Sequence, residues 1–548
     1  MKQRNGFELW AALIVIAIAL PAAAQSPTTP LPGSSYGEWK AEKERDDDAP
    51  LSEFRLINYF FVRASLTNQL ADPSGLAGVS LGPIGMPAGS STRVGRDTAG
   101  GYIEQRWIPV IEYAPWFVDG LATFRAQFEV DFTWGRAANS MQHNQGGGFN
   151  ADQINIQTKN VNVSLYPTHN PNDLAIVIGT QSIYDSIYDP ARVGLTDIIK
   201  TGYKLAYLGT DATGISAYSS YGNLGHGKLS FIPMGSAQPD RALLNDPSLA
   251  FVYLMTADYA YPIQPGTVLG LSLWRLQDDT KGDAYAYEGL VKSGPSSSGL
   301  GSFTGTQRFN IEKPTGSVNY VGANFHHNVD FRTGPFAASG FVMYNRGSFT
   351  SSNPDTLLNK SVLVDGLGAN LELAWNYGRT AADVISLEGM FSTGDSDPSD
   401  GKYSSAFTTN YYGLPGAVWF NHKTLLLFPF TSTVSNYNGA VSDISNQGFG
   451  LQAGILSAAY DLIPHKLNLK LGGAFAQSGV TPPELTAGVA RGRTIGTEIN
   501  AEIKYHIRYL MTVGLHGGYM FRGDFYNGSE QVTADPYALF TTFTWYGF

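Results

Sequence analysis

Charged and amide side chains recur at every second position of several long segments. Between residues 122 and 134, Arg125, Glu129 and Asp131 share one phase, while Phe124, Val130 and other apolar residues fill the opposite phase. Such a mixed set of cations and carboxylates can hydrate a wall and contact ions or polar solutes. Since the spacing juxtaposes no His with a Ser nucleophile, these residues do not point to bond-making chemistry.

The same phase holds in three later segments, at residues 367–377, 467–475 and 495–505. From all four segments we predict solute-contacting side chains at Arg125, Glu129, Asp131, Glu372, Lys470, Glu498, Glu502 and Lys504. The alternative for each of these residues is a structural role, either keeping the inner surface hydrated or pairing with a neighbour across strands.

The elements that position these residues are long β-strands, because a period of two places alternate side chains on opposite faces. The segment 122–134 exceeds the ~5–6 residues of a usual soluble strand and reaches the ~9–11 that a tilted membrane strand needs. A soluble sandwich also alternates, but the strand length and the aromatic strand ends favour a transmembrane barrel. The expected fold class is therefore all-β, an antiparallel up-and-down β-barrel.

The N-terminus has the pattern of a secretory signal. Lys2 and Arg4 precede the apolar run Leu9–Leu20, and a small-residue site ends at Ala24. The apolar run is shorter than the ~18 residues of a membrane-spanning helix. We predict a signal peptide at 1–24, a flexible periplasmic leader at 25–52, rich in Ser, Pro, Thr and then charge, and a barrel at 53–548 with long outer loops.

The number of strands follows from the short connections between alternating segments. Eight of these connections are predicted near Ala114–Asp119, Pro167–Asn172, Gly209–Ala212, Pro262–Gly266, Asp330–Gly334, Gly378–Thr380, Leu462–His465 and Ile507–Tyr509. Together with a first strand near Phe54–Ser65 and a closing strand near Asp535–Phe548, they predict 18 strands, within a range of 16–20. The stretch Gly394–Asn446 is predicted to be one long outer loop, although it has room for another hairpin.

The composition excludes several classes of protein. The 548 residues contain no Cys and carry a formal charge of −10, so a thiolate metal site and a nucleic-acid partner are not expected. No cofactor is predicted. The triplet Asp395, Asp397 and Asp400 has the oxygen ligands that Ca²⁺ prefers, but it departs from the EF-hand spacing, and an ordinary acidic loop is the competing interpretation.

A barrel of 16–18 strands is wide enough for an aqueous channel. The sequence therefore predicts an outer-membrane channel for hydrophilic solutes in a Gram-negative bacterium. Its expected partners are membrane lipid, a small hydrophilic molecule or polysaccharide, and the barrel-assembly machinery that reads a C-terminal aromatic such as Phe548. The alternatives are a structural or adhesive barrel with an external partner and, less favoured, a barrel-embedded hydrolase.

The C-terminal third resembles the bacterial alginate-export porin family. The resemblance rests on the run Ile495–Asn500, on Gly518-Tyr519, Phe521 and Gly523-Asp524, and on Phe391–Asp395. Asn500 stands where the family usually has Asp. The resemblance implies a monomeric 18-stranded barrel that passes a polysaccharide or another anionic solute through an Arg-rich constriction. The acidic residues among the predicted wall positions depart from that expectation.

Overall fold

In a computed structural model, the chain forms one large antiparallel sheet closed on itself. The structure describes residues 53–71, 80–83, 92–97, 99–134, 153–170, 173–184, 207–236, 251–281, 309–329, 331–397, 399–410, 423–428, 436–441, 443–508 and 510–547. The predicted signal peptide and leader, and the terminal Phe548, lie outside these residues. The description of the barrel begins at Glu53, directly before the first strand.

Eighteen long strands build the wall, numbered here in chain order. They are β1 Phe54–Thr67, β2 Gly100–Tyr113, β3 Ala122–Trp134, β4 Gln153–Leu165, β5 Leu174–Tyr184, β6 Leu208–Ser220, β7 His226–Ser236, β8 Phe251–Gln264, β9 Thr267–Asp278, β10 Pro314–His327, β11 Phe336–Ser351, β12 Ser361–Asn376, β13 Val384–Ser392, β14 Gln452–Ile463, β15 Leu467–Gln477, β16 Thr494–Arg508, β17 Met511–Arg522 and β18 Tyr537–Gly547.

Each strand pairs with its neighbour in the chain, and the first strand pairs with the last. In β1, Asn58 lies opposite Gly547 of β18, and Phe54 lies opposite Tyr113 of β2. Every pairing between the eighteen strands is antiparallel. Closure satisfies the hydrogen bonds that a sheet edge would leave open in lipid. The predicted fold class and the predicted 18 strands are confirmed.

The two ends of the barrel differ in the length of their connections. The start of β1, the end of β18 and eight short turns lie at one end, which is the periplasmic end in barrels of this kind. The long connections lie at the other end, hereafter the outer end. Seven of the eight predicted turns fall where the structure has them.

The turn predicted at Gly209–Ala212 is wrong. Those residues belong to β6, and the turn comes later, where Gly222 and Gly225 have φ of 62° and 95°. At Gly225 a Cβ would lie 1.9 Å from the carbonyl oxygen of Ala260, so this turn requires glycine. The sequence Gly209-Thr210-Asp211 has a composition typical of turns. Pairing with β5 across residues 209–219 nevertheless keeps its backbone extended.

The outward face of the barrel is apolar. Leu271 on β9, Leu471 on β15 and Ile499 on β16 are 62%, 66% and 53% exposed, which only contact with lipid makes favourable. Rings such as Phe336 and Trp375, stacked at the periplasmic ends of β11 and β12, form part of an aromatic belt. A closed barrel with this outer surface is located in the outer membrane of a Gram-negative bacterium.

None of the described segments forms a helix long and apolar enough to cross a bilayer.

The described part of one outer connection folds into the barrel. Its residues 393–397, 399–410, 423–428, 436–441 and 443–451 are hereafter called the inner loop. Lys402–Tyr403 extends the sheet beside β12, and Thr409–Asn410 pairs with β6 on another part of the wall. Between them the loop crosses the inside of β10 and β11. There the Phe407 N–H donates to Asn345 Oδ1 at 3.1 Å, and its carbonyl accepts from the Tyr320 hydroxyl at 2.9 Å.

A hydrophobic core fills the space between the inner loop and this side of the wall. Phe407 of the loop stacks on Phe349 of β11 with ring centroids 5.9 Å apart, and Tyr320 and Val364 are buried beside them. In the described residues, Gly368 to Asn376 of β12 pair with β13 and Ile385 to Phe391 of β13 pair with β14. Because β13 pairs directly with β14, the described residues place no additional hairpin of the wall between these two strands.

Candidate functional site

The site is the polar inner wall together with the inner loop that lies against it. The first group of charges is on β15, β16 and β17, where Lys470, Glu502 and His516 are direct cross-strand neighbours. Lys470 Nζ lies 2.5 Å from Glu502 Oε1, and His516 Nδ1 lies 2.7 Å from Glu502 Oε2. Lys504 Nζ, two residues along β16, lies 3.4 Å from the same Oε2. The Glu502 carboxylate is therefore a buried hub that holds two lysines and a histidine.

His516 lies almost flat on the wall because Gly514 has no side chain. A Cβ at Gly514 would lie 2.3 Å from His516 Nε2 and 2.6 Å from Thr542 Oγ1. In this position Nε2 is 2.9 Å from Thr542 Oγ1, and the imidazole stacks on Phe540 at 4.7 Å. The imidazole thus occupies the space that a side chain at position 514 would need.

A second group of charges lies on β2 and β3. Arg106 Nη2 is 2.8 Å from Glu129 Oε1, and Arg125 Nη2 donates to Gln127 Oε1 at 3.2 Å. Three strands, β17, β18 and β1, separate this group from β16, which carries Glu502. Backbone pairing places Asp131 opposite Arg106, while its side chain lies outside what the structure describes.

The inner loop is anchored to the wall by Glu498 of β16. Three successive backbone N–H groups donate to its carboxylate, those of Leu425, Leu426 and Leu427, at 2.7, 3.0 and 2.7 Å. Asn500 Nδ2 donates a fourth hydrogen bond at 2.8 Å. A fully buried carboxylate is stable only when such donors replace water, so Glu498 and the loop segment 423–428 depend on each other.

Two further contacts hold the same segment. Lys423 pairs with Glu372 of β12, and Lys470 Nζ donates to the Lys423 carbonyl at 3.1 Å. Gly518 on the inner face of β17 makes room for the loop, because a Cβ there would already lie 3.3 Å from Leu425 Cβ. The segment therefore contacts β12, β15, β16 and β17 and narrows the bore from that side.

The structure brings several predicted residues together and separates others. Lys470, Glu502 and Lys504 form one cluster, and Glu372 joins it through Lys423. Glu498 lies beneath the inner loop with no exposed surface. Sequence reasoning missed Arg106, Lys423 and His516. Arg106 and His516 lie in the inward phase of their strands, so the period of two could have identified them. Lys423 lies in a loop, which has no such period.

The three carboxylates of the acidic triplet accept hydrogen bonds from backbone N–H groups of their own loop. Asp395 Oδ1 accepts from the Asp397 N–H at 3.0 Å, Asp397 Oδ1 from the Ser399 N–H at 3.0 Å, and Asp400 Oδ1 from the Lys402 N–H at 2.7 Å. Among the described residues no three His, Asp or Glu side chains are grouped as metal ligands. Each carboxylate instead stabilises its own turn, and hydrogen bonds from Ser399 lower the pKa of Asp397.

A second buried carboxylate lies within the inner loop itself. Asp443 accepts from the Ser445 N–H at 2.8 Å and from the Ser445 hydroxyl, and Thr408 also faces it. Its other oxygen, Oδ2, is buried without a partner among the described residues. Burial raises the pKa of Asp443 to about 6, and the buried Tyr403 hydroxyl lies nearby.

This raised pKa predicts that acid tightens the inner loop. The folded loop binds a proton more readily than a released loop, so loop packing gains stability as the pH falls from about 6 towards 4 and loses it as the pH rises through that window. We expect the open-channel current to be quieter at pH 5 than at pH 7.5. In Asp443→Asn the noise should no longer change with pH, and an unchanged pH response in this variant would refute the assignment.

No protein-family model matches this chain, and no curated protein matches it significantly. The alginate-export resemblance is therefore not shown.

Solved structures similar to this chain include proteins of Acinetobacter baumannii and Pseudomonas aeruginosa. Acinetobacter baumannii OccAB1 is 12% identical, with a TM-score of 0.46 over 91% of this chain and 97% of that chain. Pseudomonas aeruginosa OpdQ is 9% identical, with a TM-score of 0.45 over 91% and 99%. Pseudomonas aeruginosa OccK2 (OpdF), in complex with glucuronate, is 10% identical, with a TM-score of 0.44 over 90% and 97%.

Proposed function

We propose that this protein is a passive outer-membrane channel for hydrophilic solutes. The observation that carries the proposal is the Lys504 side chain, which points into a closed barrel and still keeps 37% of its surface exposed. A charge in that position needs water, so the lumen beside β16 is aqueous. Eighteen strands leave a bore wide enough for that water path.

The solute is selected by size and charge in this proposal, and no reaction is catalysed. The inner loop narrows the bore and brings Lys423 to Glu372. On the wall around it, Lys470 and Lys504 pair with Glu502. Arg106 pairs with Glu129, and Arg125 lies beside them on β3. In its more specific form, the proposal is that the channel passes sugars or polysaccharides of the alginate-export kind. The C-terminal sequence resemblance supports this form. Insertion by the barrel-assembly machinery through Phe548 belongs to the same proposal.

The test is conductance of the purified protein in planar lipid bilayers. We expect ohmic current steps from the wild type. Arg125→Gln and Lys504→Gln should each shift the reversal potential in asymmetric KCl towards cation preference, because each removes a positive charge from the bore.

The matched control is Arg379→Gln, an exposed arginine in the turn between β12 and β13. Its reversal potential should equal that of the wild type. A barrel that inserts but carries no current would refute the channel. Unchanged reversal potentials in both lumen variants would refute the assignment of these residues to the bore.

A further inference from the structure

A row of polar and charged side chains crosses the outward face of four strands near the outer end. Arg275 of β9 lies opposite Asn319 of β10, Asn319 lies opposite Arg346 of β11, and Arg346 lies opposite Asp365 of β12. All four share the phase of the lipid-facing leucines on their strands. Arg275, Asn319 and Arg346 are exposed, and the Asp365 side chain keeps 42% of its surface exposed.

Neighbouring side chains hold this row in place. Arg275 donates to Asn319 Oδ1 at 3.4 Å and to Gln277 Oε1 at 2.8 Å. The Tyr344 hydroxyl lies within hydrogen-bonding reach of both Asp365 and Arg346. These hydrogen bonds therefore restrict the conformations of the Arg275 and Arg346 side chains.

A third cation comes from the inner loop. Lys402 pairs with Leu363 where the loop extends the sheet beside β12, so its side chain emerges on the lipid side. Its Nζ is 3.9 Å from Asp365 Oδ2, and 52% of the side chain is exposed. The patch of Arg275, Arg346, Lys402 and Asp365, hereafter the outer patch, thus carries three positive charges and one negative charge.

The outer patch lies at the upper edge of the apolar band. The next outward positions towards the periplasm are Leu273, Val321, Tyr344 and Leu367. Two to four strands beyond β12, the outward positions near the outer ends of β14, β15 and β16 are Gln452, Gln477 and Thr497, which are uncharged. The outer patch therefore differs from this neighbouring part of the described wall by its positive charge, and it borders the apolar band on the outer side.

From this placement we propose that the outer patch binds the phosphorylated headgroup of lipopolysaccharide, the glycolipid of the outer leaflet. Guanidinium groups match phosphate oxygens in a bidentate geometry, and Lys402 adds a point charge beside them. The leucine and valine side chains below the patch offer an apolar surface to the acyl chains of the same molecule. The inference rests on the outer-membrane location and does not require that the barrel conduct.

The test measures binding of diphosphorylated lipid A to the purified protein in detergent micelles by native mass spectrometry. Each cation near an anionic lipid contributes a factor of about five in affinity, so Arg275→Gln combined with Arg346→Gln should weaken binding about thirtyfold. Lys402→Gln alone should weaken it about fivefold. All of these side chains are exposed, so heat-modifiable migration on gels should report a folded barrel in every variant.

Arg379→Gln, at the periplasmic end, serves as the matched control and should bind like the wild type. Two further probes distinguish the source of the phosphate. Dephosphorylated lipid A should bind weakly, and inorganic phosphate at the same concentration should not compete. Equal affinity in the double variant, equal binding of the dephosphorylated lipid, or efficient competition by inorganic phosphate would each overturn the proposal.

Discussion

Glu498→Gln should release the inner loop and increase the current through the channel. In the native protein the carboxylate accepts three backbone N–H donors from the loop and one from Asn500. The amide retains one acceptor oxygen and turns an NH₂ group towards the remaining backbone donors. Each lost charge-assisted hydrogen bond weakens the anchor by about 1.5–3 kcal/mol.

A loss of that size changes the balance between the docked and released loop by a factor of ten or more, since about 1.4 kcal/mol corresponds to a factor of ten. We expect larger single-channel steps, with frequent transitions between two levels. The matched control is Glu484→Gln in the outer loop between β15 and β16, whose carboxylate accepts one N–H from Gly488 at 2.8 Å in an exposed turn. If Glu498→Gln conducts like Glu484→Gln, the inner loop does not limit the current.

The wall of the barrel could be predicted from the sequence because lipid imposes a simple rule on it. An outward side chain in the membrane must be apolar, so the period of two stays visible along β3, β12, β15 and β16. The polar phase of the same strands then identifies the inward residues, Glu502 and Lys504 among them. The number of strands followed from turns, and the one misplaced turn lay where Gly209 and Asp211 imitate turn residues within a paired strand.

The inner loop could not be predicted in the same way. Its backbone donors to Glu498 belong to Leu425–Leu427, and an apolar triplet of that kind has the composition of a strand or a core. Three of the four donors to Glu498 are backbone N–H groups, which are the same for every residue type. The glycines that leave room for the loop and for His516 are also visible only in three dimensions, because a Gly at position 514 or 518 is ordinary in a barrel strand.

The outward row on β9 to β12 lies between these two cases. Arg275, Arg346 and Asp365 break the apolar phase of their strands, which the sequence displays directly. Whether these charges form one patch depends on the register of the strands. Arg275 pairs with Asn319, Asn319 with Arg346, and Arg346 with Asp365.

Glu502→Gln should shift the channel towards anions and destabilise the barrel, the opposite electrostatic sign to Lys504→Gln. The carboxylate is 3% exposed and pairs with Lys470, Lys504 and His516, so the neutral amide leaves two lysines uncompensated on the wall. Removing one partner of a buried ion pair typically costs about 3–5 kcal/mol, because the remaining charge stays out of water. A lower temperature for the loss of heat-modifiable migration should accompany the shift in reversal potential.

The double variant Glu502→Gln with Lys470→Gln separates the two effects. Removing Lys470 restores the charge balance of the cluster, so most of the shift in ion preference should disappear. Part of the stability should return as well. The double variant leaves only Lys504 without a carboxylate partner, whereas the single variant leaves both Lys470 and Lys504. If the single variant shifts the reversal potential towards cations, or if the double variant shifts it further towards anions, then Glu502 does not set the charge of the bore through these lysines.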